Sequence, residues 1–315
     1  MLQNFPLRPA AAAAAVGVLV LLGQSLGRAS APSCKGLAAT CGATKSDDCC
    51  KSLLTPGGTY YRSYDGIDHL DRSFPATVSS FRLDKYEVTV GRLRAFVDSG
   101  MGTQAAPPAE GAGAHPRIAG SGWRSAWNHA LAADTAALKA NLRCYDSYQT
   151  YTDQPGGNEH KAANCVDWYT AFAFCVWDGG RLATEAEWMY AASGGNEHRY
   201  YPWSTPPSST TIDDSYAAYC GSTCWNMQDV GMTPKGDGKW GHSDLGGNAW
   251  EWTLDWNSSQ VPVPCNDCAV VDGGTWRNAR SGAYNDLAAT LRSATRHVYD
   301  PSYHGIIGLR CARAP

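Results

Sequence analysis

Cysteine is the residue type in this sequence with the greatest capacity for chemistry. Twelve cysteines occur, and four of them form two close pairs, Cys220-x3-Cys224 and Cys265-x2-Cys268. Two such pairs supply four thiolates, which could hold zinc, and Cys-x-x-Cys is also the spacing of redox-active pairs. The third alternative is disulfide bonding, which is the default state for an even number of cysteines in an exported chain.

The N-terminus favours export. Arg8, an apolar run over residues 10–22 and Ala-Ser-Ala at 29–31 form a pattern typical of a secretory signal peptide cut after Ala31. A membrane span needs about 20 apolar residues, which is more than this run provides, and a lipid anchor on Cys34 is a weaker alternative. We therefore predict a signal peptide over residues 1–31 and no transmembrane segment in the mature chain. The protein is then secreted, periplasmic or at the cell surface, and its cysteines form disulfides.

Composition and charge exclude several classes of protein. Lys and Arg number 26 against 29 Asp and Glu, so the net charge is −3, and a nucleic-acid partner is not expected. Charged residues make up 17% and glycines number 33, which is typical of an ordered, loop-rich globular protein. Neither a phosphate-binding loop nor a nucleophile elbow occurs. The eight histidines are scattered, and we predict that His242 and His304 lie on the surface.

Local patterns predict the elements that would position these residues. Helices are predicted after Thr89, over residues 130–142, after Asp167, and after Thr184, where Glu187 completes a capping box. Large aromatic residues alternate with polar ones over residues 250–256, which predicts a strand with one polar face, and a last strand is predicted over 308–312. Short helices among many strands and loops indicate an α+β fold. We divide the mature chain into a Cys-rich segment, 32–55, and one domain, 56–315.

Seven segments, in order along the chain, resemble the formylglycine-generating enzyme family, also called the sulfatase-modifying factor family. They include Asp-Leu-Gly-Gly-Asn-Ala-Trp-Glu-Trp at 244–252, Gly-Gly-Thr-Trp at 273–276 and Gly-Leu-Arg-Cys-Ala at 308–312, with the others at 81–90, 166–177, 180–192 and 201–203. The resemblance implies an irregular, loop-rich fold related to C-type lectins. It also implies a copper-dependent oxidase that converts a cysteine in a Cys-x-Pro-x-Arg segment of a sulfatase to formylglycine with O2.

The copper-binding part of that pattern is absent from this sequence. In the family two thiolates follow the Gly-Gly-Ser-Trp-like motif, but residues 273–296 contain no cysteine. The corresponding positions fall around Asn278 and between Ala283 and Ala288, and their side chains cannot hold Cu(I) as thiolates do. Copper is therefore not expected, and whether the chain is an enzyme stays open.

Other family features carry over. The resemblance implies a disulfide between Cys175 and Cys311. It also implies calcium bound by the side chains of Asp244 and Glu251 and by the carbonyls of Gly247 and Ala249, which are the oxygen ligands that Ca2+ prefers. In the alternative interpretation Asp244 caps a turn and Glu251 lies on the polar face of its strand.

The family groove lies beside Trp250, which either packs in the core or faces a ligand. Arg292 and Arg296 either line the same groove or form salt bridges. Our hypothesis is an exported, monomeric binding module for a peptide, glycan or protein partner. The alternative is a formylglycine-generating oxidase that recruits a free thiol from Cys220, Cys224, Cys265 or Cys268.

Overall fold

The computed structural model describes Met1, residues 31–222, Cys224 and residues 226–315. The predicted signal peptide, apart from Met1 and Ala31, lies outside the described residues. Ala31–Pro315 form one unit of mixed helices and strands, in agreement with the predicted α+β class. Among the described residues, no helix has both the length and the apolar character needed to cross a membrane.

Eleven short strands of the described chain form three sheets. The first sheet has the order β1-β4-β11-β5, the second β10-β6-β8-β9 and the third β2-β3-β7. The strands are β1 Ser52–Thr55, β2 Gly58–Tyr61, β3 Pro75–Val78, β4 Phe81–Asp84, β5 Arg181–Leu182, β6 Trp250–Trp256, β7 Cys265–Asn266, β8 Arg277–Arg280, β9 His297–Tyr299, β10 Ile307–Gly308 and β11 Cys311–Arg313. Strands close in space are often far apart in sequence, so the sheets gather residues from most of the chain.

The described residues form four α-helices, which begin at the caps that the sequence predicts or close to them. They are α1 Val90–Asp98, α2 Thr135–Asn141, α3 Trp168–Trp177 and α4 Glu185–Ala192. Thr89 and Asp167 accept hydrogen bonds from the third residue after them. Thr184 and Glu187 form the complete capping box, which satisfies two backbone N–H groups that the first turn leaves free.

Three local predictions need correction. The helix predicted from residue 130 begins at Thr135, because Asp134 provides the side-chain cap. The last strand is interrupted at Leu309 and Arg310, so β10 and β11 belong to different sheets. The face of β6 predicted to be polar is fully buried, because α4 packs against this strand; an ion pair with Arg310 satisfies Glu251, and backbone N–H groups satisfy Asp255.

The Cys-rich segment packs onto the helices of the same unit. The backbone N–H of Ser33 donates to the Asp178 carboxylate at the end of α3 (3.0 Å), and the Arg92 guanidinium of α1 donates to the Ser33 hydroxyl (3.0 Å). β1, at the end of the segment, pairs with β4. These contacts fix residues 32–55 against the rest of the fold.

Two indole hydrogen bonds hold β6 against α3 and the segment before it. Trp168 donates to the carbonyl of Thr253 (2.8 Å), and Trp252 donates to the carbonyl of Val166 (2.7 Å). Buried indoles need such partners for their N–H groups. The bonds fix β6, the strand that carries Trp250 and Glu251. β8 pairs with β6 along one edge of that strand.

Candidate functional site

The positions that correspond to the copper-binding thiolates fall around Asn278 and within residues 283–288, and of these Asn278 and Ala283 are buried. Asn278 of β8 is 1% exposed, and Ala283 has no exposed surface. The Asn278 amide donates to the Glu185 carboxylate (3.0 Å), so this side chain is part of the packing between β8 and α4. An amide and a methyl group provide no soft ligand for Cu(I).

Every cysteine of the chain takes part in a disulfide. The pairs are Cys34–Cys50, Cys41–Cys49, Cys144–Cys165, Cys175–Cys311, Cys220–Cys224 and Cys265–Cys268, and none is free. The two close pairs thus bridge internally, and in this state neither provides thiolates for zinc or copper. Sulfur atoms of Cys41 and Cys49 lie near a nitrogen of His160, but these sulfurs are bonded to each other.

Aromatic side chains surround Trp250 where β6, β9 and the C-terminal loops meet. The Trp250 ring centroid lies 5.5 Å from that of His297 and 6.3 Å from that of Tyr299. Tyr299 stacks on Tyr303 with centroids 4.6 Å apart and planes 7° apart. We call Trp250, Asp286, His297, Tyr299 and Tyr303 the Trp250 surface. Trp250 itself is 6% exposed and Tyr303 is 37% exposed, and His297 is also exposed, so Trp250 lies beneath the surface and His297 and Tyr303 are its accessible members.

Two ionisable groups of the Trp250 surface, Asp286 and Tyr299, have raised pKa values. Burial raises the pKa of Asp286, against hydrogen bonds from the Ala283 backbone and the Trp250 side chain. Burial also raises the pKa of Tyr299, and the neighbouring Tyr303 adds to the shift. The aromatic rings and tyrosine hydroxyl groups of this surface suit stacking and hydrogen bonding.

The two arginines for which the sequence left a groove position or a salt bridge open, Arg292 and Arg296, both form ion pairs. Arg292 pairs with Asp68, at 2.5 Å between Nη1 and Oδ2. Arg296 pairs with Glu185, at 3.3 Å between Nη1 and Oε2. The structure therefore places both arginines in salt bridges.

Asp244, Gly247 and Ala249 lie on the turn that leads into β6, and Glu251 is the second residue of that strand. Asp244 has a positive φ of 57°, and its carboxylate accepts a hydrogen bond from the Gly231 N–H (2.6 Å). The carbonyl of Gly247 accepts from the Ser281 hydroxyl (3.0 Å). The turn thus presents oxygen atoms of the kind that calcium takes, with Asp244 as a charged ligand.

The carboxylate of Glu251, by contrast, already has a protein donor at each of its two oxygens. Arg310 donates to Oε1 from Nη2 (2.8 Å), and the Trp188 indole donates to Oε2 (2.7 Å). As a calcium ligand Glu251 would have to share its carboxylate with this arginine. The donor set therefore fits calcium through Asp244 and the turn carbonyls more readily than through Glu251.

Glu87 is a buried acid at this turn to which sequence reasoning assigned no role. Its carboxylate accepts hydrogen bonds from the Asn248 amide (2.6 Å) and the Ala249 N–H (3.0 Å). Burial raises the pKa of Glu87 well above its usual value, and the charges of Asp244 and Glu251 add to the shift. Burial also raises the pKa of Asp244, to about 6. The signal that could have found Glu87 is its place in the family-like segment at 81–90.

The histidine prediction is wrong for His242. This side chain has no exposed surface, and burial lowers its pKa to about 3, with the positive charge of Arg310 adding to the effect. It is a neutral residue of the interior because the loop that carries it is covered by β1 and β4, whose Leu53 and Leu83 backbones contact it. His304 is partly buried, with its Nε2 3.3 Å from Asp167.

Comparison with known proteins gives a consistent match. Residues 38–315 match the model of the sulfatase-modifying factor enzyme 1-like domain. The "Inactive C-alpha-formylglycine-generating enzyme 2" of Bos taurus is 29% identical over 286 residues, which cover 82% of this chain and 86% of the relative. The "Formylglycine-generating enzyme" of Thermomonospora curvata is 26% identical, covering 84% and 93%.

A solved structure shares the fold. PvdO from Pseudomonas aeruginosa superposes with a TM-score of 0.60 at 20% identity, and the match covers 84% of this chain and 94% of PvdO. At this identity the likeness concerns the fold alone. The loop-rich α+β architecture described above is therefore one that an experimentally determined protein also adopts.

Proposed function

The chain belongs to the sulfatase-modifying factor family, and from that premise we propose that it is a ligand-binding member without copper-dependent oxidase chemistry. One observation carries the proposal: all twelve cysteines are in disulfides, and the positions corresponding to the copper ligands, around Asn278 and between Ala283 and Ala288, hold no cysteine. Cu(I) needs soft thiolate or thioether ligands, and a disulfide sulfur is not a thiolate. The name of the bovine relative, an inactive enzyme, points in the same direction.

The Trp250 surface is where we expect the ligand to bind. Flat aromatic faces stack on sugar rings and on apolar side chains, and tyrosine hydroxyls add directional hydrogen bonds. Tyr303 offers its ring to solvent, and Tyr299 stacks behind it. A peptide, a glycan or a protein partner would each use this combination.

We also propose that the protein is exported. Six disulfides persist in oxidising compartments and are rare in the cytosol. This supports the signal peptide predicted over residues 1–31 and a secreted, periplasmic or cell-surface location.

Calcium is the metal that we propose for the turn before β6. Asp244 and the carbonyls of Gly247 and Ala249 would hold it, with Glu251 as a further ligand only if Arg310 yields part of its ion pair. Bound calcium would supply positive charge to a site where buried carboxylates raise one another's pKa. Its contribution would be to stability and to the shape of the turn.

An aldehyde assay tests the absence of oxidase chemistry. The purified protein is incubated with Cu(I), O2 and a Cys-x-Pro-x-Arg peptide, and the peptide mass is followed, with the Thermomonospora curvata enzyme as positive control. We expect no aldehyde, and no cysteine alkylated before reduction. Aldehyde formed by this chain would refute the proposal and make the formylglycine-generating oxidase the better description.

A binding screen tests the Trp250 surface. Peptide and glycan arrays are probed with the wild type, with Tyr303→Ala and with Tyr64→Ala, a control that removes a tyrosine contacting Tyr61 and His198 instead. We expect Tyr303→Ala to weaken binding of the selected ligand by about threefold to tenfold, as the loss of one aromatic contact implies. If Tyr303→Ala and Tyr64→Ala bind the selected ligand with equal affinity, the ligand does not bind at the Trp250 surface.

A further inference from the structure

A cavity whose lining includes no residue of the Trp250 surface lies between α4, β8 and the loops after β2 and β6. Its volume is about 170 Å³. One wall of the lining is apolar and consists of Phe74, Met189 and Val261. The other wall is charged and consists of Arg62, Glu185, Arg280 and Arg296. The cavity thus offers both an apolar wall and a strongly charged wall.

The charged wall has an excess of positive charge. Glu185 pairs with Arg280, at 2.6 Å between Oε1 and Nη2, and with Arg296 at 3.3 Å. The charge of Arg62 also acts on this carboxylate, and together the three arginines lower the pKa of Glu185 despite its burial. Asp255 accepts a hydrogen bond from the Glu185 N–H and adds at most one further negative charge. Three guanidinium groups therefore face one or two carboxylates.

Two of these arginines have buried donors without an acceptor. The Nε atoms of Arg62 and Arg280 are buried and have no hydrogen-bond partner among the described residues. Arg280 as a whole is only 2% exposed. An unpaired buried donor on a charged group is costly, so both atoms would gain from an acceptor that a ligand in this cavity supplies.

A purely structural role accounts for part of this arrangement. Nη1 of Arg280 donates to the carbonyls of Ala294 and Thr295 (3.1 and 2.9 Å), and Arg62 donates to the carbonyl of Pro262. These bonds hold neighbouring loops. They use the Nη atoms, however, and leave both Nε atoms without a partner. Arg296 donates from Nη1 to Glu185 and has a side chain that is 33% exposed.

We infer that this cavity binds an oxyanion, a carboxylate or a sulfate, carried on a small apolar group. The oxyanion supplies acceptor oxygens to the guanidinium groups of Arg62, Arg280 and Arg296. Planar guanidinium groups match the geometry of such anions. The apolar part of the ligand packs against Phe74, Met189 and Val261, which are in the same lining.

Calorimetric titration with three small probes tests this inference. The probes are phenylacetate, phenyl sulfate and the neutral phenylacetamide, all at an ionic strength of about 0.15 M so that weak surface attraction is screened. We expect saturable binding of at least one anion and none of the amide. Phenylacetate and phenyl sulfate distinguish a carboxylate ligand from a sulfate ligand.

Arginine variants locate the binding. Arg296→Gln and Arg62→Gln replace arginines whose side chains are partly exposed, so both variants are expected to fold. Arg280→Gln replaces a buried arginine and is measured only if its unfolding transition matches that of the wild type. Each loss of a charged hydrogen bond should weaken binding roughly tenfold or more. Arg117→Gln is the control, since Arg117 is exposed and pairs with Asp267, and it should bind as the wild type does.

Three results would overturn the inference: no saturable binding of either anion, equal affinity for the amide, or unchanged affinity in both Arg296→Gln and Arg62→Gln. The proposed function rests on the disulfide-bonded cysteines and on the Trp250 surface, neither of which the anion titration measures, so failure here leaves the proposed function untouched.

Discussion

Arg310 and Glu251 form a fully buried ion pair, in which Nη2 of the guanidinium lies 2.8 Å from Oε1 of the carboxylate and neither side chain is exposed. The same arginine donates to the carbonyls of Asp84 and Ser243 (3.0 and 2.8 Å). One residue between β10 and β11 therefore joins the turn before β6 to the first sheet. Buried ion pairs often contribute little compared with apolar packing, but the loss of one partner leaves a charge without compensation.

Arg310→Met tests the importance of this pair for stability. The substitution keeps an apolar chain of similar length but leaves the Glu251 charge unpaired, so the free energy of unfolding should fall by about 3–5 kcal/mol. Urea unfolding measures the change. Lys139→Met, which breaks the exposed pair with Asp98, is the control and should cost at most about 1 kcal/mol. If Arg310→Met and Lys139→Met lower the free energy of unfolding by similar amounts, another group must compensate the buried charge of Glu251.

Calcium removal tests the proposed metal site at Asp244. Protein treated with EDTA should gain thermal stability when Ca2+ is added, by about 1.4 kcal/mol once the free ion reaches ten times its dissociation constant. Asp244→Asn should lose this gain, because the amide removes the charged ligand while its oxygen still accepts from Gly231. Asp98→Asn removes an exposed carboxylate and should respond as the wild type does. If calcium leaves the wild-type melting temperature unchanged, the site does not bind it.

Asp255 should make stability depend on pH. Burial raises its pKa to about 7, and the charge of Glu185 adds to the shift. Between the unfolded pKa and this folded pKa, the folded state holds more protons than the unfolded state, so stability falls as the pH rises.

From about pH 5 to pH 8 this loss is on the order of 2 kcal/mol. Asp255→Asn resembles the protonated form, so the variant should become more stable relative to the wild type over that range. Denaturant unfolding of both proteins at the two pH values isolates the effect, because all other titrating groups are shared. A difference that does not change with pH would contradict the raised pKa.

Arg277 lies between two tryptophans, and its planar group should be required there. Its Cζ atom is 3.5 Å from the ring centroid of Trp168 and 3.4 Å from that of Trp256. Arg277→Lys keeps a basic side chain but loses the flat face, so the free energy of unfolding should fall by about 1–3 kcal/mol.

Arg124→Lys provides the comparison for this substitution, measured by the same unfolding experiment. Arg124 lies over one ring only, 5.3 Å from the Trp127 centroid, and its side chain is 32% exposed. This change should cost less than about 1 kcal/mol. A loss as large as that of Arg277→Lys would show that stacking between two rings is not what stabilises Arg277.

The local features of the fold could be predicted from the sequence because their hydrogen bonds join neighbouring residues. The caps at Thr89, Asp167 and Thr184 each involve groups three residues apart, and such geometry depends only on the local chain. The alternation over residues 250–256 likewise predicts β6. The family segments, taken together, indicate the α+β class.

The hydrogen bonds and ion pairs between groups far apart in the chain were decided by the tertiary structure. Glu87 and Asn248 are 161 residues apart and Arg310 and Glu251 are 59 apart, and sheet packing brings each pair together. The cavity of Arg62, Glu185, Arg280 and Arg296 likewise gathers residues from four separate segments. Burial of His242 and of the polar face of β6 has the same origin, since a short periodicity gives no information about what covers an element. Only packing of distant segments determines which charges lose contact with water and must find partners.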